Sequence, residues 1–229
     1  MRTLLALTLL WAAIVTRGSS SASLPAGLVL AGAVQDQTVL VVGERGAIHR
    51  SDNGGSTWSR VTAPVRVMLT GVAFAPTGDR AWAVGHEAVV LGSADRGATW
   101  SVKYRAPNAQ DSLLDVIALD AGHVIAIGAY GLCLESLDEG KTWQRRRLIA
   151  DDLHFNRITR GPTGELYIAG ERGTLLRSRD NGSQWQTLKA PYEGSFYGIL
   201  PLDRRTLLAY GLRGRLFRSS DDEIGRAHV

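Results

Sequence analysis

Between Ala26 and Asp222 apolar and polar positions alternate in short segments, and no stretch shows helical periodicity. Three kinds of apolar segment recur in one order. The first is typified by residues 68–75 (MLTGVAFA) and 113–120 (LLDVIALD), the second by 80–84 (RAWAV) and 123–127 (HVIAI), and the third by 89–93 (VVLGS) and 132–136 (LCLES). A polar-alternating segment closes each set, as in 99–104 (TWSVKY) and 142–148 (TWQRRRL). Short runs of this kind bounded by turn residues read as strands. Each unit is therefore expected to hold four strands, a to d, with d as an outer edge strand wet on one face. Four complete units are expected at 26–61, 67–104, 112–148 and 153–188, with a fifth at 195–222 that lacks its outer strand.

Two markers set the register. Gly43, Gly85, Gly128, Gly170 and Gly211 close the b segments, each eight residues before a serine. A second glycine three residues on (Gly46, Gly131, Gly173, Gly214) suits the positive φ of a tight b–c turn, with Ala88 as the exception. The serines open an octet of the form S-x-D-x-G-x-x-W. Its members are Ser51, Asn53, Gly55 and Trp58; Ser93, Asp95, Gly97 and Trp100; Ser136, Asp138, Gly140 and Trp143; and Ser178, Asp180, Gly182 and Trp185; a broken copy starts at Ser219. The serines lie 42, 43, 42 and 41 residues apart, a period that belongs to radially repeated four-stranded sheets. The predicted fold class is all-β, a β-propeller with blades of about 42 residues. Within the octet, the serine and aspartate can accept backbone N–H groups, the glycine can turn left-handed and the tryptophan can fold back as an anchor. These are structural roles at a c–d hairpin.

The octet resembles the Asp-box, or BNR, repeat of sialidases, sortilin-type receptors and photosystem II assembly factors, with Asn53 departing from the usual Asp. With the glycine-closed b strand, as in residues 81–90 (AWAVGHEAVV), the chain after its leader resembles bacterial members of the photosystem II stability and assembly factor family. That resemblance implies a seven-bladed ring of which about two blades are missing here, and an unclosed ring bares strand edges. It also implies scaffolding or assembly work on an envelope or membrane protein complex rather than catalysis. Fold likeness alone grants no activity. Sialidases are marked by an Arg-Ile-Pro segment, which this chain lacks. Two further readings stay open, a sialidase-like glycoside hydrolase and a receptor domain for peptide or carbohydrate.

Processing and charge narrow the setting. Arg2, the apolar run from Leu4 to Val15 and the small residues Ser20 to Ala22 read as a secretory signal over residues 1–22, cleaved after Ala22, which places the mature chain in the periplasm or outside the cell. No integral membrane segment is expected in the mature chain. The formal charge is +4, and removal of Arg2 and Arg17 leaves a near-balanced chain, which argues against a nucleic-acid partner. The lone Cys133 cannot form an internal disulfide and reads as a small buried side chain. Residues 223–229 back-translate to the bases of a common sequencing adapter and are read as a non-native tail after the propeller span 23–222.

Candidate chemistry lies on the face that the b–c turns and d–a connections share. Those turns carry Arg45, His86, Tyr130, Arg172 and Arg213, types that suit a carboxylate or acidic peptide partner. Arg157 and Arg160 of the fourth inner strand, with Phe155, Phe196 and Tyr197, are the next candidates. Arg145, Arg146 and Arg147 read as a solvated edge strand, and Asp151 with Asp152 as a turn. His49, His86, His123 and His154 lack metal-ligand spacing. No catalytic residue, cofactor or metal is assigned.

Overall fold

The computed structural model describes residues 27–190 and 192–219. The expected signal peptide over residues 1–22 and the tail expected at 223–229 lie outside them. The first sheet holds β1 (Val29–Gln35), β2 (Thr38–Gly43), β3 (Ile48–Ser51) and β4 (Ser59–Val61). The second holds β5 (Leu69–Phe74), β6 (Ala81–Gly85), β7 (Val90–Ser93) and β8 (Ser101–Tyr104), and the third β9 (Leu113–Ala118), β10 (Val124–Gly128), β11 (Cys133–Ser136) and β12 (Gln144–Arg145). The fourth holds β13 (Phe155–Arg160), β14 (Leu166–Gly170), β15 (Leu175–Ser178) and β16 (Gln186–Thr187). The fifth holds β17 (Phe196–Pro201), β18 (Leu207–Gly211) and β19 (Leu216–Ser219). Every sheet is an antiparallel meander in chain order, and the inner strands β1, β5, β9, β13 and β17 pack side by side in sequence. These are the propeller blades that the period predicts.

The core is a set of layers, one between each pair of neighbouring blades. Leu40, Val42 and Ile48 of the first blade meet Leu69, Val72 and Leu91 of the second. Trp82, Val84 and Val90 meet Leu113, Val116 and Leu134 of the third, and the same arrangement repeats at the next two boundaries. Cys133 is buried in one such layer. Burial pushes its thiol up to about 12, so it stays protonated at neutral pH and packs as an apolar group.

The glycine that ends each b strand is explained by close approach rather than by backbone conformation. A Cβ added at Gly43, Gly85, Gly128, Gly170 or Gly211 would lie 1.9, 2.0, 2.0, 2.5 or 2.2 Å from the carbonyl oxygen just before the inner strand of the same blade. The next residue's N–H donates to that same oxygen, at 3.0, 3.0, 2.9, 3.0 and 2.9 Å for Glu44, His86, Ala129, Glu171 and Leu212. Only a residue without a side chain lets that bond form.

The octet closes a tight turn and also docks on the preceding blade. In the second blade Ser93 Oγ donates to Asp95 Oδ1 at 2.7 Å and accepts from Gly97 N at 2.8 Å, while Thr99 N and Oγ1 donate to the Asp95 carboxylate at 2.8 and 2.6 Å. Asn53 keeps the pattern in the first blade because its Nδ2 donates to Thr57 Oγ1 at 2.9 Å, the reverse of the Asp–Thr bond. The octet glycines Gly97, Gly140 and Gly182 each leave room for a b-strand side chain of the previous blade. An added Cβ there would sit 2.6 Å from Leu40, Trp82 or Ile125. Charged side chains reinforce this docking: Arg80 pairs with Glu139 at 2.6 Å, Arg96 with Asp36 at 2.8 Å, and Arg146 donates to Gly182 O and Ser183 O at 2.7 Å each.

Arg146 thereby departs from the solvated edge expected of it. It is half-buried, paired with Glu135 at 2.7 Å, and clamps the third blade to the fourth, and β12 stops at Arg145. Arg145 and Arg147 remain exposed.

The turn carboxylates make the fold acid-sensitive. For Asp95, partial desolvation raises the pKa, but the Thr99 hydroxyl and N–H and the Ser93 hydroxyl outweigh it and bring it to about 2. The Thr142 hydroxyl and N–H hold Asp138 at about 2 as well. Because both folded values lie below the ordinary 3.8, the stabilisation is complete above that pH and is lost as the pH falls through about 2. A doubly substituted Asp95→Asn, Asp138→Asn protein is expected to melt below the parent at pH 7, with the gap closing towards pH 2. A gap that stays constant with pH in thermal melts would exclude the carboxylates as its source.

Candidate partner-binding face

The b–c turns all share one geometry. Two consecutive residues occupy the left-handed region in each: Arg45 and Gly46, Glu87 and Ala88, Tyr130 and Gly131, Arg172 and Gly173, Arg213 and Gly214. The turns close through N–H to carbonyl bonds such as Ala47 to Glu44 at 2.9 Å and Thr174 to Glu171 at 2.9 Å, the mark of a type I′ hairpin. Ala88 accepts this conformation at φ 43° and donates its N–H to Asp111 O at 2.9 Å. The turns of the second, third and fourth blades pack on the connection that leaves their blade for the next, as Gly131 N on Leu153 O at 2.8 Å and Gly173 N on Gly194 O at 2.9 Å. The turns and connections thus form one face, opposite the octets.

Arg45, His86, Tyr130, Arg172 and Arg213 are all exposed on that face, but they do not share a single cleft. Arg172 lines a cleft of about 450 Å³ between the third and fourth blades, walled by Leu148, Ile149, Leu153 and Leu176, with Thr174 and Thr187 as polar groups. Tyr130 lines a second cleft of about 180 Å³ with Arg145, Arg147 and Asp152, on the other side of the same connection. The Tyr130 ring stands edge-on to His154, with centroids 4.6 Å apart. Glu171 holds His154 in place, accepting its backbone N–H at 3.1 Å and lying 3.4 Å from Nδ1. Tyr130 is 63% exposed, so its face is offered to solvent. Arg172 has no hydrogen-bond or ion-pair partner among the described residues.

The other candidates are placed differently. Arg45 belongs to a separate cleft of the first blade with Arg60 and Arg66. His86 forms a bridge with Ser112, and the neighbouring Glu87 pairs with Arg105. Arg213 stands exposed on the last turn. Arg157 lies on β13 towards the axis, its Nε 3.4 Å from the buried Asp115 of β9, whose carboxylate also accepts Ile158 N at 3.0 Å. Burial raises Asp115 to about 6 against the opposing pull of Arg157 and of the backbone N–H groups of Ile158 and Val116. Arg160 donates to Leu119 O at 3.2 Å. Phe155 and Phe196, expected beside these arginines, are fully buried in the layers between blades, because a bulge in the inner strand turns them inward and leaves Tyr197 exposed.

The sequence reading passed over Arg60 and Arg66. Both flank the connection 62–65, and they converge on Arg45 only because that connection folds under the b–c turn. The candidate histidines stand on separate elements, and among the described residues no group of three His, Cys, Asp or Glu is gathered as metal ligands would be. No helix among the described residues is long and apolar enough to cross a membrane.

The family model described as Photosynthesis system II assembly factor YCF48 matches residues 56–152 and 103–223. No curated protein sequence matches the chain. Among solved structures, a YCF48 bound to D1 peptide is similar with a TM-score of 0.69 at 21% identity over 88% of this chain and 66% of its own. YCF48 from Cyanidioschyzon merolae is similar with a TM-score of 0.65 at 18% identity, over 88% of this chain and 70% of its own. A GH74 xyloglucanase from Xanthomonas campestris shares the fold with a TM-score of 0.66 at 19% identity, over 85% of this chain and 37% of its own. The chain thus spans about two thirds of the length of the first relative.

Proposed function

Because the chain belongs to the Photosynthesis system II assembly factor YCF48 family, we propose that it is an exported, non-catalytic propeller that binds a polypeptide segment of an envelope or membrane complex and serves that complex as an assembly or stability factor. The observation that carries this reading is the pair of clefts about residues 148–153. Arg172 stands unpaired among the described residues at an apolar wall of Leu148, Ile149 and Leu153, and Tyr130 offers its ring across the connection. An apolar wall with aromatic and arginine anchors suits an extended segment that carries both an acidic and an apolar side chain. One structural relative in the same family is a YCF48 in complex with a D1 peptide, which supports a peptide as the kind of ligand.

A display library of acidic and basic peptides, screened against the full chain, tests this. Acidic peptides with an apolar residue are expected to bind. Arg172→Glu and Tyr130→Ala are each expected to weaken that binding at least about tenfold, the scale of an interface anchor. Binding unchanged in both variants would overturn the choice of face.

Catalysis of the glycoside hydrolase kind needs a carboxylic acid that can reach substrate beside a second carboxylate. Among the described residues Asp115 is the carboxyl held high, and it is buried and engaged by Arg157 and Ile158 N–H. A panel of fluorogenic glycosides is expected to show no turnover; hydrolysis abolished by Arg172→Ala would replace the scaffold reading.

A further inference from the structure

Several arginines of this protein are matched to acids. Arg50, Arg80, Arg96, Arg105, Arg145 and Arg146 each stand within salt-bridge distance of a carboxylate, as do Arg147 and Arg157. Arg50 of the first blade is one of them, but three other arginines of that blade are not. Arg45 from its b–c turn, Arg60 from β4 and Arg66 from the connection to the second blade converge on a cleft of about 340 Å³ whose lining contains no Asp or Glu. None of the three guanidinium groups has a hydrogen-bond or ion-pair partner among the described residues, and all three residues are exposed.

The surplus charge is felt nearby. Arg60 is the cross-strand partner of His49, whose imidazole is held below its ordinary value by partial burial and by the Arg60 charge. His49 therefore stays neutral at physiological pH and leaves the three arginines as the local cations.

The shape and chemistry of the cleft select a compact ligand. Val61 and Val65, which wall it, face inward against the core layer between the first two blades. The groups left for a ligand are three planar forks of N–H donors and the Thr62 hydroxyl. A single carboxylate has two oxygens and one charge, and it would satisfy one fork. A phosphoryl group offers three terminal oxygens and close to two charges, which matches converging guanidinium groups.

We propose that the cleft formed by Arg45, Arg60 and Arg66 is a binding site for a phosphoryl dianion, whether free phosphate or a phosphomonoester lipid headgroup. The site is separate from the Arg172 cleft and does not depend on the peptide reading.

Calorimetric titration of the full chain with inorganic phosphate and with acetate, at low and at physiological ionic strength, tests it. Saturable phosphate binding is expected, at least about tenfold tighter than acetate. The Arg60→Ala, Arg66→Ala double variant is expected to lose at least about tenfold of it, with partial recovery in Arg60→Lys, Arg66→Lys and none of the loss in Arg172→Ala. Since both side chains are exposed, thermal melts should be unchanged and report a folded variant. Vesicles of phosphatidylcholine doped with phosphatidic acid or, at equal charge, phosphatidylserine distinguish the sources. Preferential binding to phosphatidic acid that the double variant loses assigns a lipid headgroup, and phosphate binding without vesicle binding assigns the free ion. Phosphate bound no more tightly than acetate, or bound equally by the double variant, would overturn the proposal.

Discussion

Gly128→Ala is expected to cost about 3 kcal/mol of folding stability, the upper end of the range for overpacking. The new Cβ would fall 2.0 Å from Ser112 O and 2.8 Å from Leu113 Cα. Both are backbone atoms, so no rotamer change relieves the contact. The Ser112 carbonyl is itself pinned by Ala129 N–H at 2.9 Å, and retreat of the inner strand would break that bond. Conformation plays no part, because Gly128 has φ −169°, extended backbone that alanine adopts freely. For a chain of this size the loss corresponds to a fall of roughly 6–12 °C in Tm. Gly78→Ala is the control. It sits at φ +83° with nothing within 4 Å of the added Cβ, and it should cost only about 1 kcal/mol from backbone strain. Denaturant unfolding monitored by circular dichroism ranks the two, and a Gly128→Ala loss no greater than that of Gly78→Ala would refute the close-approach account.

Trp82→Ala should be the most damaging truncation, at about 3–5 kcal/mol. Trp82 is 1% exposed and belongs to the layer between the second and third blades. Its ring fills the space above Gly140 and meets Trp143 edge-on with centroids 6.0 Å apart. Its loss removes the surface on which the third blade's octet rests. In an array whose units touch mainly their neighbours, the damage should stay near that boundary. Hydrogen exchange is expected to quicken in β6 and β10 while β14 and β15 keep their protection. Uniform loss across all blades would argue instead for one indivisible core. Trp82→Phe should be milder, partly because it removes a buried Nε1–H that has no partner.

Strands, turns and the octet register were legible in the chain because they rest on contacts within a few residues. A period-two apolar pattern, a glycine before a turn and a serine two positions from an aspartate leave direct marks. The Asn53 variant was legible for the same reason, and its amide simply reverses one hydrogen bond with Thr57. The reason for the b-strand glycines was not legible, since the carbonyl each one admits lies just before the inner strand, fifteen or so residues earlier. Arg146 looked like one of three solvated arginines, but its partners Gly182 and Ser183 come from the next blade. Arg157 was visible as a candidate, whereas Asp115 beside it was not, for their contact spans two blades.

By itself, then, the sequence determined a propeller of roughly 42-residue blades, the strands within each, and the turn face on which Arg45, Tyr130 and Arg172 stand. Only the tertiary structure decided how those residues group. It sent Arg45 to a basic cleft with Arg60 and Arg66, set Tyr130 and Arg172 on either side of residues 148–153, and turned Phe155 and Phe196 into the core. The physical reason is range. Hairpins form from local hydrogen bonds and alternation, while the packing of one blade on the next brings together residues about forty positions apart that no local pattern links.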